Sequence, residues 1–291
     1  MRRTFAFVAI LTFTVCVNAA DIYHAKQGEV LILDAVELCG EDVPPDGITI
    51  SVFGRKIEPI IFENSRYFII GVDFRTMPDK YDFLVCNGAD QIAKKELVVE
   101  AEKFPTVKMN SGRQKLSEPT QKRIAEEKAA VENLICSDFI VLQKTAADDF
   151  GKWSYPLPKP ELTASGGGFG AARIWKDGVS KHAGVDLRAK YVKTYAVADG
   201  TVVMAIKYPQ KPFLMHGYMV IVRHAGGLLS LYAHLSKVYV SDTQKVRSGE
   251  ALGVTGETGN ARGPHLHFGI IVDCASVDPL AAIKKFQEFF K

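Results

Sequence analysis

The sequence is poor in the features that would classify it at a glance. Of 291 residues only seven are histidine, five cysteine and two tryptophan. Neither sign of charge is in surplus: 36 Lys and Arg stand against 33 Asp and Glu, a formal net charge of +3. No basic stripe argues for a nucleic-acid partner. The longest early apolar run, FAFVAILTFTVCV, is shorter than the ~20 residues a membrane span needs. GETGNARG looks superficially like a phosphate loop but lacks both the Gly-Lys-Ser/Thr ending and a following helix. It reads as a turn.

What is present begins with that early run. Arg2 and Arg3 precede it, and Asn18, Ala19 and Ala20 supply small residues after it. This is the layout of a secretory signal peptide, expected over residues 1–20. Removing Arg2 and Arg3 would lower the net charge from +3 to +1, 34 basic residues against 33 acidic. No stable membrane insertion is expected after cleavage. Cys39, Cys86, Cys136 and Cys274 remain, an even number in an oxidising compartment. Cys39 and Cys86 lie at the two ends of one β-rich segment, which favours that pair as a disulfide. Cys136 with Cys274 would tie a helix to the C-terminal region.

The rest of the chain reads as mainly β. In residues 21–102 the runs EVLILDAV, GITISVF, KIEPIIF, RYFIIGVD, YDFLVC and KKELVVE are cut by PPDG, ENS, MPDK and NGAD. That rhythm predicts a small β-sandwich-like domain. Its His24 reads as a surface residue. Residues 103–154 hold a polar connector and then an amphipathic helix, with Ile124, Val131, Leu134 and Ile135 recurring at three- and four-residue steps. Ser117 or Thr120 would cap it. It is expected to brace the two β regions and to carry no chemistry. Residues 155–291 form a second β-rich unit, closed by a short helix whose Phe286, Phe289 and Phe290 pack against it.

That second unit holds most of the histidines. GPHLHFGI places His265 and His267 two apart, so on a strand both rings share one face, roughly 7 Å apart at their Cα atoms. KHAGVDL sets His182 four residues before Asp186, and YAHLS contains His234. Imidazole nitrogens and a carboxylate oxygen are zinc ligands, and a catalytic zinc takes three protein ligands and keeps a position for water. His182, Asp186 and one histidine of the HLH pair would supply the three. The other histidines would handle protons. His216 and His224 fall outside these motifs and read as structural. Gly166, Gly167 and Gly168 can bring backbone close to an extended peptide.

With GFGAAR, HAGVDL, YAVADGTVV, GYMVIVRHAGG, YAHLS, VRSGEALGVTGETG and GPHLHF in this order, residues 168–279 resemble the LytM-type, lysostaphin-like zinc peptidases that cut peptidoglycan cross-links. The upstream β segment, with its KFP connector and RIAEE helix, resembles the amino-terminal part of certain exported members. The resemblance implies a C-terminal LytM-type antiparallel β domain binding one Zn²⁺ per chain through His182, Asp186 and His267. It implies His265 as the general base on the water, and His234 as the group that orients or protonates and stabilises the oxyanion. Peptidoglycan stem peptides are the implied substrate, and the periplasm the implied location, with the cell exterior or wall as alternatives. The other reading is a non-catalytic wall-binding or hydrolase-activating relative. Arg173 falls at the arginine of the family's FG-x-x-R run, and either meets a stem-peptide carboxylate or forms an internal ion pair. Gly269 stands where many members carry an acid. The WKDGVSK and YPQKPFLMH loops are this chain's own and would line the groove.

Overall fold

The computed structural model describes residues 22–40, 47–109, 116–136, 150–163 and 167–290. The leader read at 1–20 and Gly166 lie outside these residues. The N-terminal part contains β1 (Ile22–Lys26), β2 (Val30–Asp34), α1 (Ala35–Cys39), β3 (Ile48–Val52), β4 (Arg55–Ile57) and β5 (Ile60–Phe62). It continues with β6 (Ser65–Gly71), β7 (Lys80–Asn87) and β8 (Asp90–Glu100). One sheet has the order β1-β8-β7-β3-β4 and a smaller one the order β2-β6-β5. Two local details depart from the sequence reading. The run EVLILDAV stops as a strand at Asp34, whose carboxylate accepts from Val36 N at 2.7 Å and starts α1. Asp at this position favours the helix start because it pairs an otherwise orphaned amide. KIEPIIF is divided at Pro59 into two short strands, since proline cannot donate to the ladder.

The small sheet is buried on both faces, which is why VLIL and YFII read as unbroken apolar runs rather than alternating ones. Side-chain alternation sends Leu31, Leu33, Phe68 and Ile70 into a core shared with Ile50, Phe83 and Leu97 of the larger sheet. It sends Val30, Ile32, Tyr67 and Ile69 the other way, into a core with Phe268, Ile270, Val272 and Phe286. The N-terminal β region is thus packed directly onto the C-terminal one.

Next come β9 (Thr106–Lys108) and α2 (Glu118–Ile135), then β10 (Ala172–Trp175), β11 (Gly178–Lys181), β12 (Val185–Arg188), β13 (Lys193–Tyr195) and β14 (Gly200–Ile206). The chain ends with β15 (Tyr218–Arg223), β16 (Leu229–Val238), β17 (Lys245–Val246), β18 (Ala251–Thr255), β19 (His265–Val272), β20 (Ala275–Val277) and α3 (Pro279–Phe289). The large sheet has the main order β12-β19-β16-β15-β14-β17, while β9 pairs in parallel with β10 and so adds the connector to the β10–β11 hairpin. The mainly β architecture read from the sequence is what the structure shows.

On the large sheet, Leu266, Phe268 and Ile270 face the main core. The opposite face carries Met219, Ile221, Leu229, Leu231 and Ile271, covered by Val131, Leu134 and Ile135 of α2. The helix therefore lies on the C-terminal sheet. Its N-cap is Ser117, whose hydroxyl meets that of Thr120 at 2.8 Å. In α3, Phe286 packs on Phe150 and Trp153, but Phe289 and Phe290 stack on Tyr67 of the small N-terminal sheet. The terminal aromatics thus join the two β regions.

Of the two cysteine pairs expected, the structure shows one and corrects the other. Cys136 and Cys274 form the disulfide, with Cα atoms 5.1 Å apart, while Cys39 and Cys86 are free thiols. Cys39 ends α1, and Cys86 sits in the ladder of β7 opposite Thr49. Membership of one β segment does not bring two side chains face to face. Cys136, at the C-cap of α2, meets Cys274 in the tight turn after β19, where Asp273 and Cys274 both adopt positive φ. Among the described residues, no helix is long and apolar enough to cross a membrane.

Candidate metal centre

Strands β12 and β19 are antiparallel, with Asp186 opposite His267 and Arg188 opposite His265. Alternation along β19 puts His265 and His267 on the face away from the main core, the same face that α2 covers lower down. His182 ends the β10–β11 hairpin immediately before β12. The three groups converge: His182 Nε2 lies 2.9 Å from His267 Nδ1, and each of these atoms lies 3.0 Å from Asp186 Oδ1. They form a group that can hold a metal ion. Burial raises the pKa of Asp186, but hydrogen bonds and positive charge from His182 and His267 outweigh it and hold the carboxyl far below its usual range. Burial pushes His267 down.

Each of the other rings is oriented by a backbone carbonyl. His182 Nδ1 faces Gly168 O at 3.0 Å, His265 Nδ1 faces Gly263 O at 2.8 Å, and His234 Nδ1 faces Thr258 O at 2.8 Å. A carbonyl only accepts, so the neutral ring carries its proton on Nδ1 and presents a lone pair at Nε2. Such outer partners fix the tautomer and direction of a ligand ring. The Gly168 carbonyl is itself held by packing: Phe169, next in sequence, stacks on Phe74 and Phe104 from the N-terminal region and the connector. Gly168 O receives His182 and Gly167 O receives Asp186 N at 2.8 Å. These two glycines bring the backbone close to His182 and Asp186.

His234 reaches the same face by a different route. Its φ is +61°, a left-handed conformation that costs of order 1–3 kcal/mol outside glycine. This rotates it beside His265, with ring centroids 4.7 Å apart. Burial, then the charges of His267 and His265, push its pKa down to about 3. Its backbone N donates to His216 O at 2.8 Å. His216 is also pushed down, to about 4, by burial and by the charges of His267 and Lys128; the sequence offered no motif linking it to this site. His224 stands apart, fully buried between Asp199 O, Ser230 Oγ and Trp153, and is structural as read. His24 pairs with Glu100 on the surface.

Arg173 is committed to the cluster: its Nη2 pairs with Asp186 Oδ2. Of its two sequence readings, the structure shows the internal ion pair. It leaves Oδ1 for the two histidines. Gly269 lies on the same strand face, and a Cβ there would make only ordinary contacts, 3.8 Å to Leu231 Cβ and 3.9 Å to Ala183 O.

Gly184 of the HAGVDL run is packed against the site. A Cβ there would stand 2.5 Å from Phe268 O, 3.0 Å from His267 Cε1 and 3.1 Å from His267 Nε2. The backbone oxygen cannot yield easily because β19 is paired on both sides, so the Gly184 segment must shift, displacing His182 and Asp186 relative to His267. Gly184→Ala is expected to weaken metal affinity about 10–100-fold, the scale of losing a partner that orients a ligand. Metal titration of the folded variant checks this, and wild-type affinity would refute it.

The geometry defines a β-sheet protein with a two-histidine, one-carboxylate group that can hold a metal ion, flanked by two further imidazoles. Residues 180–279 match Peptidase family M23, and the chain carries a peptidase M23 (LytM-type) domain at its C-terminal end. Among curated proteins, the peptidoglycan DD-endopeptidase ShyA of Vibrio cholerae is 35% identical over 105 residues, 36% of this chain and 23% of that protein. The DD-carboxypeptidase/endopeptidase Mpg of Neisseria meningitidis is 35% identical over 101 residues, 34% of this chain and 22% of that one. The matched stretch thus spans less than a quarter of these relatives. A solved M23-type protein from Pseudomonas aeruginosa shares the fold over 88% of this chain and 94% of its own, with a TM-score of 0.58 at 22% identity.

Proposed function

We propose that the chain is a zinc-dependent endopeptidase that hydrolyses peptide cross-links of peptidoglycan in an exported compartment, most simply the periplasm. The observation that carries this reading is the triangle of His182 Nε2, Asp186 Oδ1 and His267 Nδ1, with His265 and His234 beside it. The names of the curated relatives supply the substrate class.

The donor set fits zinc: two imidazole nitrogens and one carboxylate oxygen are a known catalytic combination. The 2.9–3.0 Å spacings are close to the roughly 3.3 Å between ligands set tetrahedrally at bonds of about 2.0–2.1 Å. Bound there, zinc would supply Lewis acidity toward the scissile carbonyl and make water more acidic. The protein groups do the rest. His265, its Nδ1 proton given to Gly263 O, offers Nε2 as the base that takes a proton from the attacking water. The same ring can return that proton to the leaving amine. His234 also rests with a lone pair at Nε2. The oxyanion role implied by the resemblance therefore requires its imidazolium form, which developing negative charge beside it would favour. Both flanking histidines are in place beside the cluster, which supports catalysis over a purely wall-binding role.

The test measures bound metal in the purified protein and release of monomers from cross-linked muropeptides, with chelator and after zinc is restored. Cleavage should stop with chelator and return with zinc. Protein that is metal-loaded, binds sacculi and releases nothing would establish the non-catalytic reading instead.

A further inference from the structure

Helix α2 was expected to carry no chemistry, yet it contains a buried carboxylate. Glu127 is only 7% exposed, on a helix whose other buried residue is Val131. A buried acid is costly unless its oxygens are paired, and both oxygens of Glu127 are. Oε1 accepts from Arg123 Nε at 2.8 Å, and Oε2 accepts from the backbone N of Leu214 at 2.6 Å. Arg123 Nη2 also donates to Pro212 O at 2.8 Å. Two side chains of one helical turn thus grip the loop between β14 and β15, which holds the YPQKPFLMH segment.

That loop leads to the site. Phe213 and Gly217 exchange backbone hydrogen bonds of 3.1 and 2.8 Å, closing a tight turn around Leu214, Met215 and His216. His216 O then receives His234 N at 2.8 Å, and Met215 O receives Asn260 N at 3.0 Å. Thr258, whose carbonyl holds His234 Nδ1, accepts from Tyr218 N through its hydroxyl at 2.9 Å. A Cβ on Gly217 would collide with Thr258, so the two supports of His234 are packed together. His234 is therefore held by two packed loops, its strained backbone by His216 O and its ring by Thr258 O, and the loop that carries His216 is held by α2.

We propose that Glu127 is a positioning residue for His234, acting through the Pro212–His216 turn. This rests on the proposed hydrolytic reading of the site, in which His234 handles protons. Removing the carboxylate leaves the Leu214 amide without its acceptor and frees the turn. A displacement of about 1 Å at a reacting group costs roughly 100-fold.

The experiment compares Glu127→Leu, Glu127→Gln and Arg123→Met with the wild-type full chain. Glutamine keeps an amide oxygen for Leu214 N, and Arg123→Met spares the buried site should leucine prevent folding. Zinc content, steady-state cleavage of muropeptide dimers and the imidazole nitrogen NMR signals of His234 are measured on each. Glu127→Leu should retain zinc, shift the His234 signals and lower kcat by about 10–100-fold with little change in KM. Glu127→Gln should restore most of both, and Arg123→Met should shift the same signals by less. His234 signals unchanged in Glu127→Leu, or in Arg123→Met if the leucine variant does not fold, would overturn the proposal. The NMR measurement needs no substrate, so failure of muropeptides to react would count against the proposed function and leave this test intact.

Discussion

His265→Ala should keep its metal and lose about 10²–10⁴-fold in turnover, the worth of a positioned acid–base group, whereas His267→Ala should lose the metal and with it all activity. The two rings are neighbours on one strand face, but only His267 places a nitrogen within 3.0 Å of Asp186 Oδ1 and 2.9 Å of His182 Nε2. His265 Nε2 stands farther, 3.6 Å from Asp186 Oδ1, and its ring stacks with His234 instead. On the proposed ligand set of His182, Asp186 and His267, deleting His267 leaves two ligands, while deleting His265 leaves all three. Bound zinc and muropeptide cleavage should be measured on the same preparations of both variants. A His265 variant without metal, beside a His267 variant that retains it, would reverse the assignment.

The second large effect is on stability. The Cys136–Cys274 disulfide joins residues 138 apart in sequence, so in the unfolded chain it closes a long loop and removes much conformational freedom. Its loss, through Cys136→Ser with Cys274→Ser, should lower stability by about 2–4 kcal/mol. The ends it joins are informative: one is the C-cap of α2, the other the turn after β19, the strand that bears His265 and His267. Denaturant unfolding of the double variant against the oxidised wild type measures the difference. Coincident midpoints would show that the apolar seat of α2, through Val131, Leu134 and Ile135, suffices without the crosslink. Because Cys39 and Cys86 are not paired, serine at those positions should leave the reductant dependence of the wild type unchanged.

Much of the site was legible because its chemistry is written in short, local patterns. HxH on a strand forces two rings onto one face, and HAGVD places an imidazole and a carboxylate in one turn and strand. These features follow from residue type and the two-residue period of a strand. The orientation of the rings was not legible. Gly168, Thr258 and Gly263 contribute carbonyl oxygens, which every residue possesses and no sequence pattern marks. Likewise the positive φ of His234 falls on a residue type that gives little hint of it.

By itself, then, the sequence determined that the chain is mainly β, that a helix interrupts two β-rich regions, and which imidazoles and carboxylate are available to bind a cation. Apolar periodicity and residue chemistry are local properties, and they survive without knowledge of the fold. The tertiary structure alone decided which cysteines meet, that Arg173 serves Asp186, that the small β2-β6-β5 sheet is shared by two cores, and that Glu127 of α2 reaches the loop behind His234. Each of these depends on how helix and sheets pack, and apart from Arg173 and Asp186, 13 residues apart, the partners lie too far apart in the chain for one window of the sequence to contain both.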